Sequence, residues 1–147
     1  MEAYQMRWLL LLLGITAKAD QVDWVRQLET GSVKDPDAYL HCSHGLVIAR
    51  GAYGLSKDAW NEVSNLPWSD AHNAREARRA CSAYLEITYI RLKAKLNREP
   101  DFADVYAGYR FGVAGYVKMG GRIWCTPVSF QKKVEQYHVP YQRLTKR

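Results

Sequence analysis

The first clear pattern in the chain is a short run of apolar residues at helical spacing. Val22, Val25 and Leu28 follow one another at intervals of three, and polar residues fill most of the positions between them. This spacing places the apolar side chains on one side of an α-helix. Gly31, which comes directly afterwards, is typical of a helix stop. We therefore predict a helix over residues 20–30.

The longest pattern of this kind extends over residues 70–96. Charged residues occupy one side of it, whereas small and apolar residues return to the other side. Small residues on the inner side let other helices approach closely, so this segment is predicted to be the central core helix. The residues on its apolar side are Ala74, Ala77, Cys81, Tyr84, Leu85, Thr88 and Leu92.

The rest of the chain gives shorter helical patterns and one irregular segment. Further helices are predicted over residues 57–63, 101–109, 112–119 and 129–137. Ser56 and Ser129 are the expected caps of the first and last of these. Residues 31–50 indicate a loop with one short extended piece over 46–49. Because strong β alternation is missing, we predict an all-α or mainly α fold in one domain, residues 20–147.

The start of the chain has the pattern of a secretory signal peptide. A polar beginning with Arg7 precedes an apolar run over residues 8–15, and the small residues Ala17 and Ala19 flank a lysine. The apolar run is about half the roughly 20 residues that a membrane-spanning helix needs. We therefore expect cleavage after residue 19, no stable membrane span afterwards, and a secreted or periplasmic protein. The cleavage pattern disfavours an uncleaved anchor or a buried core helix.

The charge of the chain restricts its partners. The formal net charge is +6, which is modestly basic. Outside the cytoplasm such a balance suits an anionic polymer of the bacterial envelope, whereas inside the cell it would suit nucleic acid. The signal peptide favours the envelope polymer and disfavours nucleic acid.

The cysteines and histidines indicate no metal or redox site. The spacing of Cys42, Cys81 and Cys125 does not fit a metal or redox motif. In an oxidising compartment, one disulfide and one thiol is the simplest arrangement, and three reduced, buried cysteines are the alternative. His41 and His44 flank Cys42, but further ligands at the usual spacing are missing, so no metal is expected.

The candidate for catalysis is Glu29, at the end of the first predicted helix and followed by Thr30 and Gly31. A glutamate at a helix end is usually only solvated. Three later segments favour a catalytic role for Glu29. These are ARGAYGLSKDAW at 49–60, AGYRFGVAGY at 107–116 and FQKKVEQY at 130–137.

Taken in this order, the segments resemble the lysozyme-like superfamily, in particular the soluble lytic transglycosylase and goose-type lysozyme domains that cleave peptidoglycan. The resemblance covers most of the chain after residue 19. It implies a helical domain with a substrate cleft, without cofactor or metal, that acts as a monomer on peptidoglycan or a related amino-sugar polymer.

The resemblance also assigns roles to single residues. Glu29 matches the catalytic acid, and Thr30 matches the hydroxyl residue that orients it. Gly51 and Tyr53 lie in the segment that matches the family's Gly-x-x-Gln motif. Tyr109 and Arg110 match a Tyr-Asn pair that lines the cleft. These six residues are therefore the candidate site, with Glu29 as the catalytic residue and the others binding substrate.

Two positions depart from the family pattern. Gly54 stands where the family has glutamine, and Arg110 stands where it has asparagine. If Arg110 paired with Glu29, the ion pair would favour the ionised carboxylate and impair proton donation. The alternative to an enzyme is therefore an inactive glycan-binding protein of the same fold.

Cleavage of a glycosidic bond needs a carboxyl group that delivers a proton to the leaving oxygen. Lysozymes generally add a second carboxylate. Asp35 and Asp37 are the nearest candidates, but beside Pro36 they fit ordinary turn chemistry. A single glutamate is what the lytic transglycosylase mechanism uses, with help from the substrate's N-acetyl group. The resemblance thus leaves transglycosylase and hydrolase open, with Glu29 as general acid and base in both.

Overall fold

The computed structural model describes residues 19–137 of the chain. Six α-helices and one two-stranded sheet form in this range, so the prediction of a mainly helical fold is confirmed. The predicted signal peptide, residues 1–19, lies outside the described residues apart from Ala19. Between residues 19 and 137, every helix is too short or too polar to cross a membrane.

The chain divides into two compact units, the first ending at Glu86 and the second beginning at Ile87. The first unit contains α1 (Ala19–Thr30), β1 (Leu40–Ser43), β2 (Leu46–Arg50), α2 (Lys57–Val63), a 3-10 helix (Trp68–His72) and the beginning of α3 (Ala74–Leu96). The second contains the remainder of α3, α4 (Phe102–Phe111), α5 (Val113–Met119), a 3-10 helix (Ile123–Cys125) and α6 (Val128–Tyr137).

Helices α1 and α2 form as predicted, because their apolar sides are buried and α2 has its serine cap. Val22, Val25 and Leu28 of α1 are all at most 2% exposed. The Ser56 hydroxyl accepts a hydrogen bond from the backbone N–H of Ala59, at 3.2 Å, and so begins α2. The candidate site lies at the end of α1 and in the residues that lead to α2, so these contacts hold both flanking helices in place.

The prediction of a loop over residues 31–50 is wrong for its second half, which forms a β-hairpin. Strand β1 pairs antiparallel with β2, with Ser43 opposite Leu46 at the turn. His44 and Gly45 connect the strands, and both have positive φ, 51° and 76°. A two-residue turn with positive φ at both positions matches the twist of a hairpin, and glycine adopts this φ without strain. The extended piece predicted over 46–49 is confirmed as part of β2.

Helix α3 is the longest helix of the described chain but begins later than predicted, at Ala74 instead of residue 70. Residues 68–72 form the 3-10 helix, and the Asn73 side chain accepts a hydrogen bond from the backbone N–H of Glu76, at 3.1 Å. Asparagine in this position starts a helix because its side chain satisfies an otherwise unpaired N–H. Ala74, predicted on the buried side, is exposed. The predicted positions that are buried are Ala77, Cys81, Leu85, Thr88 and Leu92.

The second unit is organised around the buried carboxylate of Asp104 in α4. Arg98 donates two hydrogen bonds to it, at 2.6 and 2.8 Å, and the Tyr116 hydroxyl donates a third at 2.6 Å. Asp104 and Asp101 also form a capping box at the start of α4. Burial alone would raise the pKa of the Asp104 carboxyl, but these hydrogen bonds outweigh burial and lower it below its ordinary value.

Helix α6 begins one residue before the predicted position. Ser129 therefore lies inside the helix and is not its cap. Pro127 precedes the first residue, Val128, and its carbonyl accepts a hydrogen bond from the backbone N–H of Phe130, at 3.0 Å. Gly120 ends α5 with φ of 124°.

All three cysteines lie in the described chain, and none of them forms a disulfide. Cys42 and Cys125 are exposed thiols, whereas Cys81 is buried in α3. The expected disulfide is therefore wrong, whereas the alternative of three reduced, buried cysteines is right about the reduced state of all three and right about burial only for Cys81.

Candidate functional site

The candidate site of the first unit forms where the end of α1 meets a closed loop. Backbone hydrogen bonds run in both directions between Arg50 and Leu55, at 3.0 and 3.2 Å, and close the segment between them. We call residues 50–55 the Arg50–Leu55 loop. Because both ends of the loop are bonded to each other, its inner residues hold fixed positions beside α1.

Thr30 joins the end of α1 to this loop. Its hydroxyl donates a hydrogen bond to the carbonyl of Ala52, at 2.8 Å, and the residue is only 3% exposed. A buried hydroxyl that is hydrogen-bonded to a distant backbone group holds two segments in register, since leaving either group unpaired costs about 1–3 kcal/mol. Thr30 therefore holds the end of α1, which carries Glu29, against the loop, and its hydroxyl is bonded to a backbone carbonyl of the loop.

The Glu29 side chain is almost fully covered and lies against Gly54 of the loop. Its side chain is 2% exposed. A Cβ atom at Gly54 would stand 2.5 Å from Glu29 Oε2, and Gly54 has φ of +59°. Glycine is therefore required here for two reasons, the backbone conformation and the space that the carboxylate occupies. The absence of a side chain at Gly54 leaves room for the Glu29 carboxylate.

Replacing Gly54 by alanine is expected to destabilise the protein more than the same change at Gly45. Both glycines have positive φ, so both substitutions incur the left-handed backbone cost of about 1–2 kcal/mol. At Gly45 the space around a new Cβ is open, whereas at Gly54 the Cβ meets the Glu29 carboxylate. This contact adds about 1 kcal/mol or more to the loss in the free energy of unfolding caused by Gly54→Ala. Urea unfolding of both variants measures the difference, and equal losses would contradict the contact.

His41 is the site residue that sequence reasoning missed. Its Nε2 is 2.9 Å from the Gly51 carbonyl oxygen, and its Nδ1 is 4.0 Å from Glu29 Oε2. The imidazole side chain is 10% exposed, and the Tyr39 ring packs edge-on against it with centroids 4.7 Å apart. From the sequence alone, His41 is a candidate only for metal binding. The signal that could have found it is the hairpin, because β1 pairs His41 with the buried Ala49.

The two predicted residues within the loop, Gly51 and Tyr53, connect it to two different parts of the first unit. The Gly51 N–H donates to the Tyr39 carbonyl at 2.9 Å. Tyr53 is 2% exposed, and its hydroxyl accepts a hydrogen bond from Arg78 Nη1 at 3.4 Å. The same Nη1 donates to Asp23 at 2.6 Å, and these two bonds, the one to Asp23 first, raise the pKa of Arg78. Tyr53 is therefore mainly a packing residue.

The other two predicted residues, Tyr109 and Arg110, belong to the second unit, in α4. Tyr109 is 8% exposed, and its ring stacks near Tyr106 with centroids 6.3 Å apart. Arg110 is exposed. Four of the predicted site residues thus lie together within the first unit: Glu29, Thr30, Gly51 and Tyr53. The other two, Tyr109 and Arg110, lie in α4 of the second unit.

The site residues offer acid–base chemistry. Between residues 19 and 137, no three side chains of His, Cys, Asp or Glu are grouped so that they could hold a metal ion. The groups available around the loop are a carboxylate, an imidazole and backbone carbonyls. A carboxylate beside an imidazole is suited to accepting and donating protons.

No family model matches the sequence, and no curated protein or solved structure matches the chain significantly.

Proposed function

We propose that the protein cleaves peptidoglycan at the β-1,4 linkage between its amino sugars, with Glu29 as general acid and base. It would act outside the cytoplasm, where the predicted signal peptide directs it. The polymer is anionic, and the chain keeps a net positive charge after the expected cleavage, because residues 1–19 contain two basic residues and one acidic residue out of a chain with net charge +6; this charge favours its approach. Lytic transglycosylase and lysozyme chemistry both use this acid.

One observation carries the proposal: the two segments that match the family pattern within the first unit meet at Glu29. The helix end with Glu29 and Thr30 is joined to the Arg50–Leu55 loop by the Thr30–Ala52 hydrogen bond. The Glu29 carboxylate lies against Gly54 in that loop. Segments separated by about twenty residues thus converge on one carboxylate, and this convergence supports Glu29 as the proposed acid.

The proposed reaction uses Glu29 twice. The carboxyl group first donates its proton to the glycosidic oxygen as the bond from the sugar C1 to that oxygen breaks, assisted by the N-acetyl carbonyl of the substrate. The carboxylate then takes a proton from the hydroxyl that attacks C1. In a transglycosylase this hydroxyl is the sugar's own C6 hydroxyl and the product is an anhydro-sugar, whereas in a hydrolase it is water.

The alternative function is glycan binding without cleavage, and the burial of Glu29 favours it. A side chain only 2% exposed reaches a glycosidic oxygen only if the residues that cover it move. General acid catalysis needs the donor within about 3 Å of the leaving oxygen. A protein in which the residues over Glu29 stay in place would bind the polymer without cleaving it.

An assay with insoluble peptidoglycan distinguishes the two functions. The purified protein is incubated with peptidoglycan sacculi, and after centrifugation the protein in the pellet and the soluble muropeptides are both measured. The proposal predicts binding together with a steady release of soluble fragments. Binding without release would establish the alternative, and neither binding nor release would contradict both.

A further inference from the structure

We propose that an exposed surface of the second unit, around Trp124, binds a lipid membrane that carries anionic headgroups. The proposal goes beyond the function proposed above and does not depend on it. It assigns a role to apolar and basic side chains that lie outside the candidate site. The exposed residues of this surface, which we call the Trp124 patch, are Lys118, Met119, Arg122, Trp124, Val128 and Lys132.

The Trp124 patch is formed by three pieces of the chain that contact one another. Gly120, at the end of α5, lies against Cys125, since a Cβ atom at Gly120 would stand 2.9 Å from Cys125 Sγ. Gln131 of α6 donates hydrogen bonds from Nε2 to the carbonyls of Trp124 and Thr126, at 3.3 and 2.7 Å. The end of α5, the second 3-10 helix and the beginning of α6 therefore meet at Trp124.

Three large apolar side chains of the patch are open to solvent although the backbone that carries them is held in place. Trp124 is 73% exposed, Val128 63% and Met119 38%. Thr126, between the first two, is buried, and its backbone N–H donates to the Ile123 carbonyl at 3.0 Å. Apolar side chains that are exposed together are typical of a surface that binds a protein or a membrane. Because this backbone is already ordered, binding does not incur the cost of ordering it.

The charge of this part of the chain favours anionic lipids. Between residues 105 and 134 the sequence has five basic residues and no aspartate or glutamate. Three of the five, Lys118, Arg122 and Lys132, are exposed in the patch itself. The Arg122 guanidinium lies 5.6 Å from the centre of the Trp124 ring. Basic residues beside a membrane are attracted to anionic headgroups, and the amphipathic tryptophan ring is suited to the headgroup layer.

The side chains of the patch suit a lipid surface better than a sugar polymer. A sugar hydroxyl is recognised by acceptors as well as donors, whereas lysine and arginine only donate. The Gln131 amide nitrogen is already hydrogen-bonded to two backbone carbonyls. Met119 and Val128 offer no strong donor or acceptor, but apolar side chains beside basic ones are suited to the boundary between headgroups and acyl chains. The patch therefore favours a membrane as its partner.

The test is flotation of the full chain with unilamellar vesicles, made either of phosphatidylcholine alone or with an equal share of phosphatidylglycerol. Wild type is expected to float with the anionic vesicles and to bind the neutral ones at least about tenfold more weakly. Raising the salt from about 0.1 to about 1 M should weaken binding to the anionic vesicles, because it screens the charges. The apolar run over residues 8–15 is the same in every variant, so differences between variants report the patch.

Substitutions in the patch are expected to weaken binding to the anionic vesicles by different amounts. Trp124→Ala should weaken it at least about tenfold, because it removes the largest apolar side chain of the patch. Lys118→Gln and Arg122→Gln should each weaken it about fivefold, because each removes one positive charge. The three side chains are exposed, so the melting temperatures are expected to stay within about 3 °C of wild type.

Leu46→Ala is the matched control for an exposed apolar side chain. Leu46 lies in the β-hairpin of the first unit and is 70% exposed, nearly as much as Trp124, but residues 38–49 contain no lysine or arginine. Its binding to the anionic vesicles is expected to equal that of wild type within about twofold. A loss for Leu46→Ala as large as that for Trp124→Ala would show that apolar exposure alone causes binding, and would overturn the proposal.

Two further outcomes would overturn the membrane proposal. One is that wild type does not bind the anionic vesicles, or that Trp124→Ala binds them as tightly as wild type. The other is that Trp124→Ala loses binding to peptidoglycan sacculi while wild type ignores the vesicles, in which case the patch binds the glycan. Vesicle binding does not involve Glu29, so the expected flotation result would support the membrane proposal even if wild type failed to cleave peptidoglycan.

Discussion

Replacing Glu29 by glutamine is expected to reduce the rate of peptidoglycan cleavage by about 10²- to 10⁴-fold, the range that a general acid contributes. Glutamine has nearly the same shape, so it fills the space beside Gly54 and leaves the Thr30–Ala52 hydrogen bond in place. It has no acidic proton to donate. The loss should appear in kcat, measured as the initial rate of fragment release, while binding to sacculi is retained.

Glu76→Gln is the control for this substitution. Glu76 lies in the first turn of α3 and pairs with Arg79 at 3.8 Å, so its replacement changes the same chemical group in the same unit without touching the Arg50–Leu55 loop. Its cleavage rate is expected to equal that of wild type within about twofold, because an exposed ion pair contributes little. Equal rates for wild type and Glu29→Gln would remove Glu29 from the mechanism.

The largest expected effect on stability comes from Asp104→Asn in the second unit. The Asp104 side chain is 3% exposed and holds Arg98 and Tyr116 through the hydrogen bonds described above. Removing its charge leaves the Arg98 guanidinium without a carboxylate partner in a largely covered position. We expect the free energy of unfolding to fall by about 3–5 kcal/mol, measured by urea denaturation.

Asp58→Asn provides the comparison for this loss. Asp58 is exposed in the first turn of α2, so the same change there is expected to alter the free energy of unfolding by at most about 0.5 kcal/mol. Tyr116→Phe, which removes only one of the hydrogen bonds to Asp104, should cause an intermediate loss of about 1 kcal/mol. A loss for Asp104→Asn as small as that for Asp58→Asn would contradict the central role of this cluster.

The Asp104 carboxylate also makes the stability of the wild-type protein depend on pH in the acidic range. The pKa of Asp104 is lowered in the folded state, so its contribution to stability is complete above the unfolded value near 4 and is lost as the pH falls through the folded value. Wild type should therefore lose stability below about pH 4. In Asp104→Asn this part of the dependence should be absent, which unfolding curves at several pH values between about 2 and 6 would reveal.

The sequence predicts the helices well because their signals are local. The apolar spacing of α1 and the Ser56 cap of α2 involve residues within a few positions of one another. The hairpin was missed because strand β1 has no clear alternation, and its signal lies in the backbone conformation of His44 and Gly45. The start of α3 was misplaced because the 3-10 turn before Asn73 has the same polarity as the helix.

The candidate site could be predicted only in part, since its contacts join residues far apart in the chain. The resemblance indicated Glu29 and Thr30, and the structure adds why Gly54 suits them. The position of His41 depends on the register of the hairpin, which periodicity does not determine. Motif order alone likewise did not reveal that Tyr53 would be buried and bonded to Arg78.

The most direct test of the central claim is to identify the fragments that wild type and Glu29→Gln release from purified peptidoglycan by mass spectrometry. The claim predicts fragments cut at the β-1,4 linkage from wild type, ending in an anhydro-sugar for a transglycosylase or a reducing sugar for a hydrolase, and almost none from the variant. The same fragments in equal amounts from both proteins, or none from wild type, would contradict the assignment of Glu29 as the catalytic acid.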